Sequence, residues 1–221
     1  LDYLLRDAHY TGVAYGVIDW GRIIAKIHYK SSQIQIGKGG LEAAESVILA
    51  RFSMFHAVYY HHAVRISRKM LQSALSLALE GGEAAASLAQ EGDNSLLERL
   101  AKIPSCSEYI RAINGRRMYK RAAVFEWGKL SESARDYAKS GDFEADLRKK
   151  FPKALADLPS NFKSQADIRI TEGNGAKKLS VISSISSSLE AAAVQRATLL
   201  AICPAEQREP VGRLAKKLLS K

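Results

Sequence analysis

The chain has 221 residues, of which 47% are hydrophobic and 25% are charged, and these proportions are ordinary for a folded globular protein. Its two cysteines are too few for a disulfide scaffold and indicate a reducing, cytoplasmic compartment. No apolar run reaches the roughly 20 residues that a membrane span requires, and the opening residues lack a signal-peptide pattern. These properties exclude collagen, coiled-coil rods, disulfide mini-proteins and membrane spans, and they predict no membrane partner.

The first part of the chain carries mostly helical signals. Residues 1–29 are predicted to be helical with a loop near Gly12, and the Asp19 carboxylate is placed to cap the second helical segment over residues 20–28. Gln33–Ile36 alternates with period two, which predicts a short strand followed by a glycine turn. Residues 41–80 repeat apolar side chains every three or four positions. This stretch is long for one globular helix, so we expect a bend or break near its middle.

The rest of the chain predicts shorter elements. Helices are predicted over residues 84–90, 94–102, 106–122, 130–138 and 142–157. The later order is strand 167–171, turn 172–175, strand 178–182, helix 183–196, strand 198–203 and helix 205–220. The predicted fold class is mainly α, with a helical bundle followed by a small α+β module. The predicted domains are a helical part over 1–125, a helical connector over 126–160 and a small α+β domain over 161–221.

Positive charge is concentrated in the second half of the chain. Residues 1–104 hold 11 basic and 10 acidic side chains, whereas residues 105–221 hold 22 and 13, out of a net charge of +10. The densest basic run contains no acidic residue and comprises Arg111, Arg116, Arg117, Lys120 and Arg121. Such a cluster attracts polyanions and predicts a surface for nucleic acid or nucleotides. A solvated face of a moderately basic protein explains the same charges, and the sequence leaves both interpretations open.

The histidines and cysteines do not form a metal-binding pattern. His56, His61 and His62 fall within seven residues of one another, but at about 100° per residue they point in three directions from a helix. Neither an HExxH pair nor a CxxC motif occurs. We therefore expect no metal site in this chain, and no nucleophile motif identifies a catalytic residue.

Two helical spacings bring together side chains that suit a nucleotide. Tyr3 and Asp7 are four residues apart and share one face of the opening helix. Arg51, Phe55 and Tyr59 form a stripe on a later helix. Arginine offers a fork of donors to phosphate, tyrosine stacks or bonds to sugar, and aspartate accepts from a hydroxyl.

These spacings have two interpretations. Tyr3, Asp7, Arg51 and Tyr59 are candidate nucleotide-binding residues; alternatively, a buried Arg–Asp pair joins two core helices. The expected neighbours of the site in a pocket are Phe55, His56, His61 and His62.

Three segments resemble the motifs of one family, in the same order. Residues 2–7 (DYLLRD), followed by residues 10–13 (YTGV), resemble the D-Y-x-x-R-D segment of HD-domain phosphohydrolases. Residues 50–61 are similar to the family's R-x-x-(L/M)-x-x-x-x-Y-x-H helix, and residues 116–121 resemble the basic-aromatic run that follows it. The resemblance covers residues 1–125 and is to the branch of the SAM-and-HD-domain deoxynucleoside triphosphate triphosphohydrolase and its prokaryotic relatives.

The resemblance implies roles for the candidate residues. In the family, the tyrosine and the second aspartate of the first motif contact the nucleotide sugar, which implies this role for Tyr3 and Asp7. The helix arginine contacts the triphosphate, as Arg51 would. The tyrosine eight residues later lies against sugar and base, as Tyr59 would. Phe55 departs from the family, because the triphosphohydrolase branch has a histidine at this position.

The family's metal ligands do not occur in the sequence. The family uses an upstream histidine, a His-Asp doublet and an aspartate just before the first motif, and this chain has no His-Asp dipeptide. Hydrolysis assisted by a divalent metal needs the ion to polarise the phosphoryl oxygen and to generate hydroxide. Leu1 begins within a helical pattern, so we expect a processed chain, a fragment or a sequence that lacks earlier residues. We expect the chain to be the C-terminal part of an HD domain and to be inactive alone. We expect the divalent metal to bind only in the full domain.

Three hypotheses follow from these observations. The first is a part of a metal-dependent phosphohydrolase of nucleotides or phosphoesters, completed by a missing N-terminal half or a second subunit. The second is a non-catalytic HD-like scaffold whose basic second half binds nucleic acid or a larger ribonucleoprotein assembly. The third is a structural subunit of an oligomer. We favour the first and expect a cytoplasmic homo-oligomer.

Overall fold

A computed structural model of the chain describes residues 1–158, 168–173 and 175–220. The α-helices of the described residues are α1 (Asp2–Thr11), α2 (Trp20–Lys26), α3 (Leu41–Met54), α4 (His62–Glu80), α5 (Ala85–Ala89), α6 (Asp93–Lys102), α7 (Pro104–Asn114), α8 (Glu132–Lys139), α9 (Asp142–Lys150), α10 (Leu179–Ile182), α11 (Ser184–Gln195) and α12 (Arg208–Leu219). The strands are β1 (Ile27–Lys30), β2 (Gln33–Ile36), β3 (Lys120–Glu126), β4 (Leu155–Asp157), β5 (Arg169–Glu172), β6 (Gly175–Lys178) and β7 (Thr198–Cys203). The chain is mainly α with small sheets, which confirms the predicted fold class.

The chain forms two compact units, each assembled from segments that are distant in sequence. The first unit comprises Leu1–His61 and Ser160–Ala197, and the second comprises His62–Pro159 and Thr198–Lys221. The domain boundaries predicted near residues 125 and 160 stay a prediction, because the spatial grouping of segments does not show which of them fold independently. Within the described ranges, no helix is both long and apolar enough to cross a membrane.

The first unit is built on a four-stranded sheet with the strand order β1-β2-β5-β6. β1 and β2 form an antiparallel hairpin that pairs Ile27 with Ile36, and β2 runs parallel to β5 with Ile36 next to Ile170. Helix α3 packs against α1, α2 and α11. Side chains from these helices and strands form one core, which includes Leu4, Ala8, Ile23, Ile36, Ala44, Ile48, Met54, Ile170 and Leu179.

Local sequence signals set the ends of the first helices. The backbone N–H of Arg22 donates to Asp19 Oδ1 at 2.9 Å, so the predicted N-cap is confirmed. Helix α1 ends at Thr11 and is capped by Gly12, whose φ of 71° lies in the left-handed region that favours glycine. Helix α2 stops at Lys26, and the helix predicted over 20–28 is wrong at its end because the following residues pair with β2.

The long helical stretch breaks near its middle, as predicted. Helix α3 ends at Met54, a π-helical turn spans Phe55–Tyr59, and α4 begins at His62. Aromatic rings crowd this turn, because the ring of Phe55 lies edge-on to those of Tyr59 and Tyr60 with centroids 5.0 and 5.3 Å away. Turns of this kind within α-helices occur frequently at functional sites.

The second unit combines helices with a three-stranded sheet of order β3-β7-β4. The central strand β7 pairs antiparallel with both neighbours. Arg65 on α4 donates to Asp157 Oδ2 at 2.6 Å and to the Thr198 carbonyl oxygen at 2.7 Å, which ties the helix to β4 and β7. Two buried clusters lie on this sheet and include Met70, Leu100, Ile110, Leu155, Ile202, Phe143, Leu147, Leu199 and Val211.

Two predicted helices are wrong in their second halves, where the chain forms strands. The helix predicted over 106–122 ends at Asn114 before β3 begins, and the helix predicted over 142–157 ends at Lys150 before β4 begins. Both strands pair with β7, which comes from the far end of the chain. Strand preference depends on such partners more than on intrinsic propensity, so the local pattern did not reveal these strands.

The later elements are confirmed in type except at one position. β5 and β6 form an antiparallel hairpin, and α11, β7 and α12 occupy the predicted helix, strand and helix. The strand predicted over 178–182 is wrong, because β6 ends at Lys178 and α10 follows it. Residue 167 of the predicted strand and residue 174 of the predicted turn lie outside the described residues.

Candidate functional site

Helix α1 presents a polar face beside its buried face. Leu4 and Ala8 are buried in the core of the first unit. Tyr3 precedes Leu4 and is 74% exposed, whereas Asp7 is half-buried. Because Tyr3 and Asp7 are four residues apart on this helix, they share one face, as predicted.

A hydrogen bond joins α1 to the π-helical turn. The Tyr59 hydroxyl donates to Asp7 Oδ2. Burial and this bond to a carboxylate raise the pKa of Tyr59 to about 12, although the nearby Arg51 charge opposes the rise. The phenol is therefore protonated at neutral pH and serves as a donor, and the structure brings these two predicted residues together.

Arg51 lies one helical turn before Phe55 and stacks on its ring. The guanidinium carbon is 5.1 Å from the ring centroid, a distance at which a cation is attracted to an aromatic face. Arg51 Nε is buried, and no group of the described residues accepts its hydrogen. The contact across the two helices is thus a Tyr–Asp hydrogen bond rather than the Arg–Asp pair of the alternative interpretation. Within the described residues, Arg51 Nε therefore remains available to another acceptor.

The predicted pocket neighbours occupy different surroundings. The His56 ring lies edge-on to Phe52 at 4.5 Å and to Tyr60 at 5.7 Å between centroids. Burial, and then the charge of Arg196, lower the pKa of His56 below its ordinary 6.5. Its Nε2 is buried without a hydrogen-bond partner in the described part of the chain. The other predicted neighbours are Phe55, which stacks in the turn, His61, which is exposed, and His62, which belongs to the second unit.

The five basic side chains of the predicted run are all exposed, and three of them line a cavity of the second unit. The exposed side chains are Arg111, Arg116, Arg117, Lys120 and Arg121. Three of them, Arg116, Lys120 and Arg121, line a cavity of about 180 Å³ together with His62 and Arg208. Arg208 is held there because its Nε donates to the Arg121 carbonyl oxygen at 3.0 Å.

Metal ions are held by donor sets of several side chains. No group of three or more His, Cys, Asp or Glu side chains within residues 1–158, 168–173 and 175–220 is arranged to hold a metal ion. The divalent metal implied by the family resemblance is thus not matched by a donor set in the described residues. That the metal belongs only to the full domain stays a prediction.

Two arginines near these sites were missed by the sequence reasoning. Arg196 follows α11, and its guanidinium carbon lies 5.4 Å from the centroid of the Phe52 ring. Arg208 reaches the basic cavity from the start of α12. Both arrive from the last part of the chain, and their contacts depend on tertiary packing. Composition gave the only signal, since both belong to the basic second half.

Comparison with known proteins matches most of the chain to one protein family. Residues 18–220 match the family described as HD associated region. A stretch of 79 residues is 46% identical to the uncharacterized protein MJ1154 of Methanocaldococcus jannaschii, covering 34% of this chain and 18% of that protein. A stretch of 85 residues is 41% identical to the uncharacterized protein YwfO of Bacillus subtilis, covering 37% of this chain and 20% of that protein.

Two solved structures share the fold. One is a hypothetical protein from Aquifex aeolicus, with a TM-score of 0.67 and 24% identity over 97% of this chain and 55% of that chain. The other is a phosphohydrolase from Bacteroides thetaiotaomicron, with a TM-score of 0.61 and 20% identity over 92% of this chain and 60% of that chain. The chain thus spans little more than half the length of these two proteins.

Proposed function

The chain belongs to the HD-associated region family, and on this premise we propose that it is the nucleotide- or phosphoester-binding part of a longer HD-domain phosphohydrolase. The substrate is a nucleotide of the kind that deoxynucleoside triphosphate triphosphohydrolases cleave. Hydrolysis itself belongs to metal ligands outside the described residues, supplied by another part of the protein or by a second subunit. The chain alone is proposed to bind without turnover.

The observation that carries the proposal is the bond between Tyr59 and Asp7. It holds α1 against the π-helical turn, so that two segments distant in sequence present polar groups on one surface. Asp7 Oδ1 makes no hydrogen bond in the described part of the chain that would compete with a sugar hydroxyl. Tyr3, exposed and one turn away on the same face, adds a ring that can stack or donate to the sugar.

Arg51 supplies the positive charge of the proposed site. The guanidinium lies over the Phe55 ring, and its buried Nε has no hydrogen-bond partner in the described part of the chain. A guanidinium in this state suits a phosphate, because its N–H groups match the geometry of two phosphate oxygens. We therefore assign Arg51 to the phosphate chain and Tyr3, Asp7 and Tyr59 to the sugar.

Calorimetric titration of the 221-residue chain with a deoxynucleoside triphosphate tests this function. We expect Arg51→Ala to weaken binding by about tenfold, since one charge-assisted contact is worth about 1.4 kcal/mol or more. Tyr59→Phe, which removes only the neutral hydroxyl, should weaken binding by about fivefold, since a neutral hydrogen bond is worth about 1 kcal/mol. Arg213→Ala is the matched control, because Arg213 is exposed and pairs with Glu209 in the second unit. Equal binding by all variants would refute the assignment.

A second candidate function is the binding of nucleic acid by the basic run, and the cavity lined by Arg116, Lys120, Arg121 and Arg208 favours it. Phosphate contacts release counterions, so affinity for RNA or DNA should fall steeply as salt rises. We expect Arg116→Ala with Arg121→Ala to reduce the slope of log K against log salt by about 2, one for each lost phosphate contact. A slope unchanged from the wild-type chain would remove this candidate.

A further inference from the structure

Arg196 brings a second guanidinium to the helix that carries Arg51. It follows α11, which packs against α3 within the first unit. Its guanidinium carbon is 5.4 Å from the centroid of the Phe52 ring. The Arg196 side chain is exposed.

Each of the two arginines contacts the ring of a phenylalanine. Arg51 stacks on Phe55 and Arg196 stacks on Phe52, and these rings are three residues apart, across the junction between α3 and the π-helical turn. Side chains at this spacing are neighbours on a helix surface. A cation–π contact uses none of the N–H donors of a guanidinium, so both arginines can still donate to an oxyanion.

His56 adds an unsatisfied buried atom to this group. Its ring is 4.5 Å from that of Phe52, and Arg196 is close enough for its charge to act on the imidazole. Within the described ranges, neither His56 Nε2 nor Arg51 Nε has a hydrogen-bond partner although both atoms are buried. Buried polar atoms without partners cost free energy, and an oxyanion that reached them would remove that cost.

We propose that Arg196, His56 and Arg51 form an anion subsite that takes the phosphate groups of the ligand. This proposal rests on the proposed nucleotide function and extends it, because Arg196 and His56 then bind the phosphate chain beyond Arg51. The recognised chemistry is a chain of two or more phosphates, whose negative charges can engage two guanidinium groups at once. His56 closes the subsite with its Nε2–H as a third donor.

Inorganic tripolyphosphate tests the subsite without the sugar. Calorimetric titration of the full 221-residue chain should show saturable binding that weakens by about tenfold in Arg196→Ala, as loss of one charge-assisted contact predicts. Arg196→Lys keeps the charge but lacks the planar guanidinium, so its affinity for tripolyphosphate should lie between those of the wild-type chain and Arg196→Ala. Arg213→Ala, which removes one exposed charge in the second unit, should bind like the wild-type chain. In proton NMR, the ring resonance of His56, assigned with His56→Gln, should shift on addition of tripolyphosphate.

The outcomes separate this subsite from the proposed function. If Arg196→Ala binds tripolyphosphate as tightly as Arg213→Ala does, or if the His56 resonance does not move, the subsite is refuted. Nucleotide binding that still depends on Arg51 and Tyr59 would then leave the proposed function intact. If tripolyphosphate does not bind the wild-type chain, the subsite is likewise refuted. Nucleotide binding that is insensitive to Tyr59→Phe would refute the proposed function separately.

Discussion

The bond between Tyr59 and Asp7 should contribute measurably to the stability of the first unit. A double-mutant cycle with Tyr59→Phe, Asp7→Ala and the combined variant isolates it, because Phe retains the ring and Ala removes the acceptor. A hydrogen bond to a charged group is worth about 1.5–3 kcal/mol. Both side chains are half-buried, so water competes for the groups and we expect a coupling free energy of about 1 kcal/mol.

The assay must report on the first unit alone, because two units need not unfold together. The chain has two tryptophans, Trp20 in the first unit and Trp127 in the second. Urea unfolding followed by tryptophan fluorescence in a Trp127→Phe background therefore reads the first unit through Trp20. A coupling below about 0.3 kcal/mol, the level at which independent sites add, would show that the bond does not hold α1 against the turn.

Three further predictions concern stability. Asp157→Ala should destabilise the second unit by about 3–5 kcal/mol in urea unfolding, because it leaves the Arg65 charge buried without its partner; a loss below about 1 kcal/mol would contradict this. The lowered pKa of His56 means that the unfolded chain binds a proton near pH 6.5 that the folded chain does not. Stability should therefore fall as the pH drops below 6.5 in the wild-type chain but less so in His56→Gln, and parallel pH profiles would be the opposing result. Gly212→Ala should lower the free energy of unfolding by about 1–3 kcal/mol in thermal or urea unfolding, since the added Cβ would lie 2.6 Å from the Ala122 carbonyl oxygen. Unchanged stability would show that α12 and β3 move apart easily.

Elements whose signals are local could be predicted from the sequence. The Asp19 cap and the Gly12 cap of α1 follow from residues within one or two turns, and the break after Met54 was expected from the length of the helical stretch. β3 and β4 could not be predicted in this way, because each is stabilised by pairing with β7 and follows a segment with helical periodicity.

The candidate site shows the same division between local and tertiary information. Helical spacing placed Tyr3 with Asp7 and Arg51 with Tyr59, and the family resemblance linked the two pairs. The bond from Tyr59 to Asp7 agrees with that link. Arg196 could not be found, because its contact with Phe52 depends on how α11 packs on α3.

A crystal structure of the chain with a non-hydrolysable nucleoside triphosphate tests the central claim most directly. We expect the sugar hydroxyls within hydrogen-bond distance of Asp7 and Tyr59, and the phosphate chain on the guanidinium of Arg51. A nucleotide bound instead in the basic cavity beside Arg116 and Lys120, with the surface around Tyr59 empty, would contradict the account.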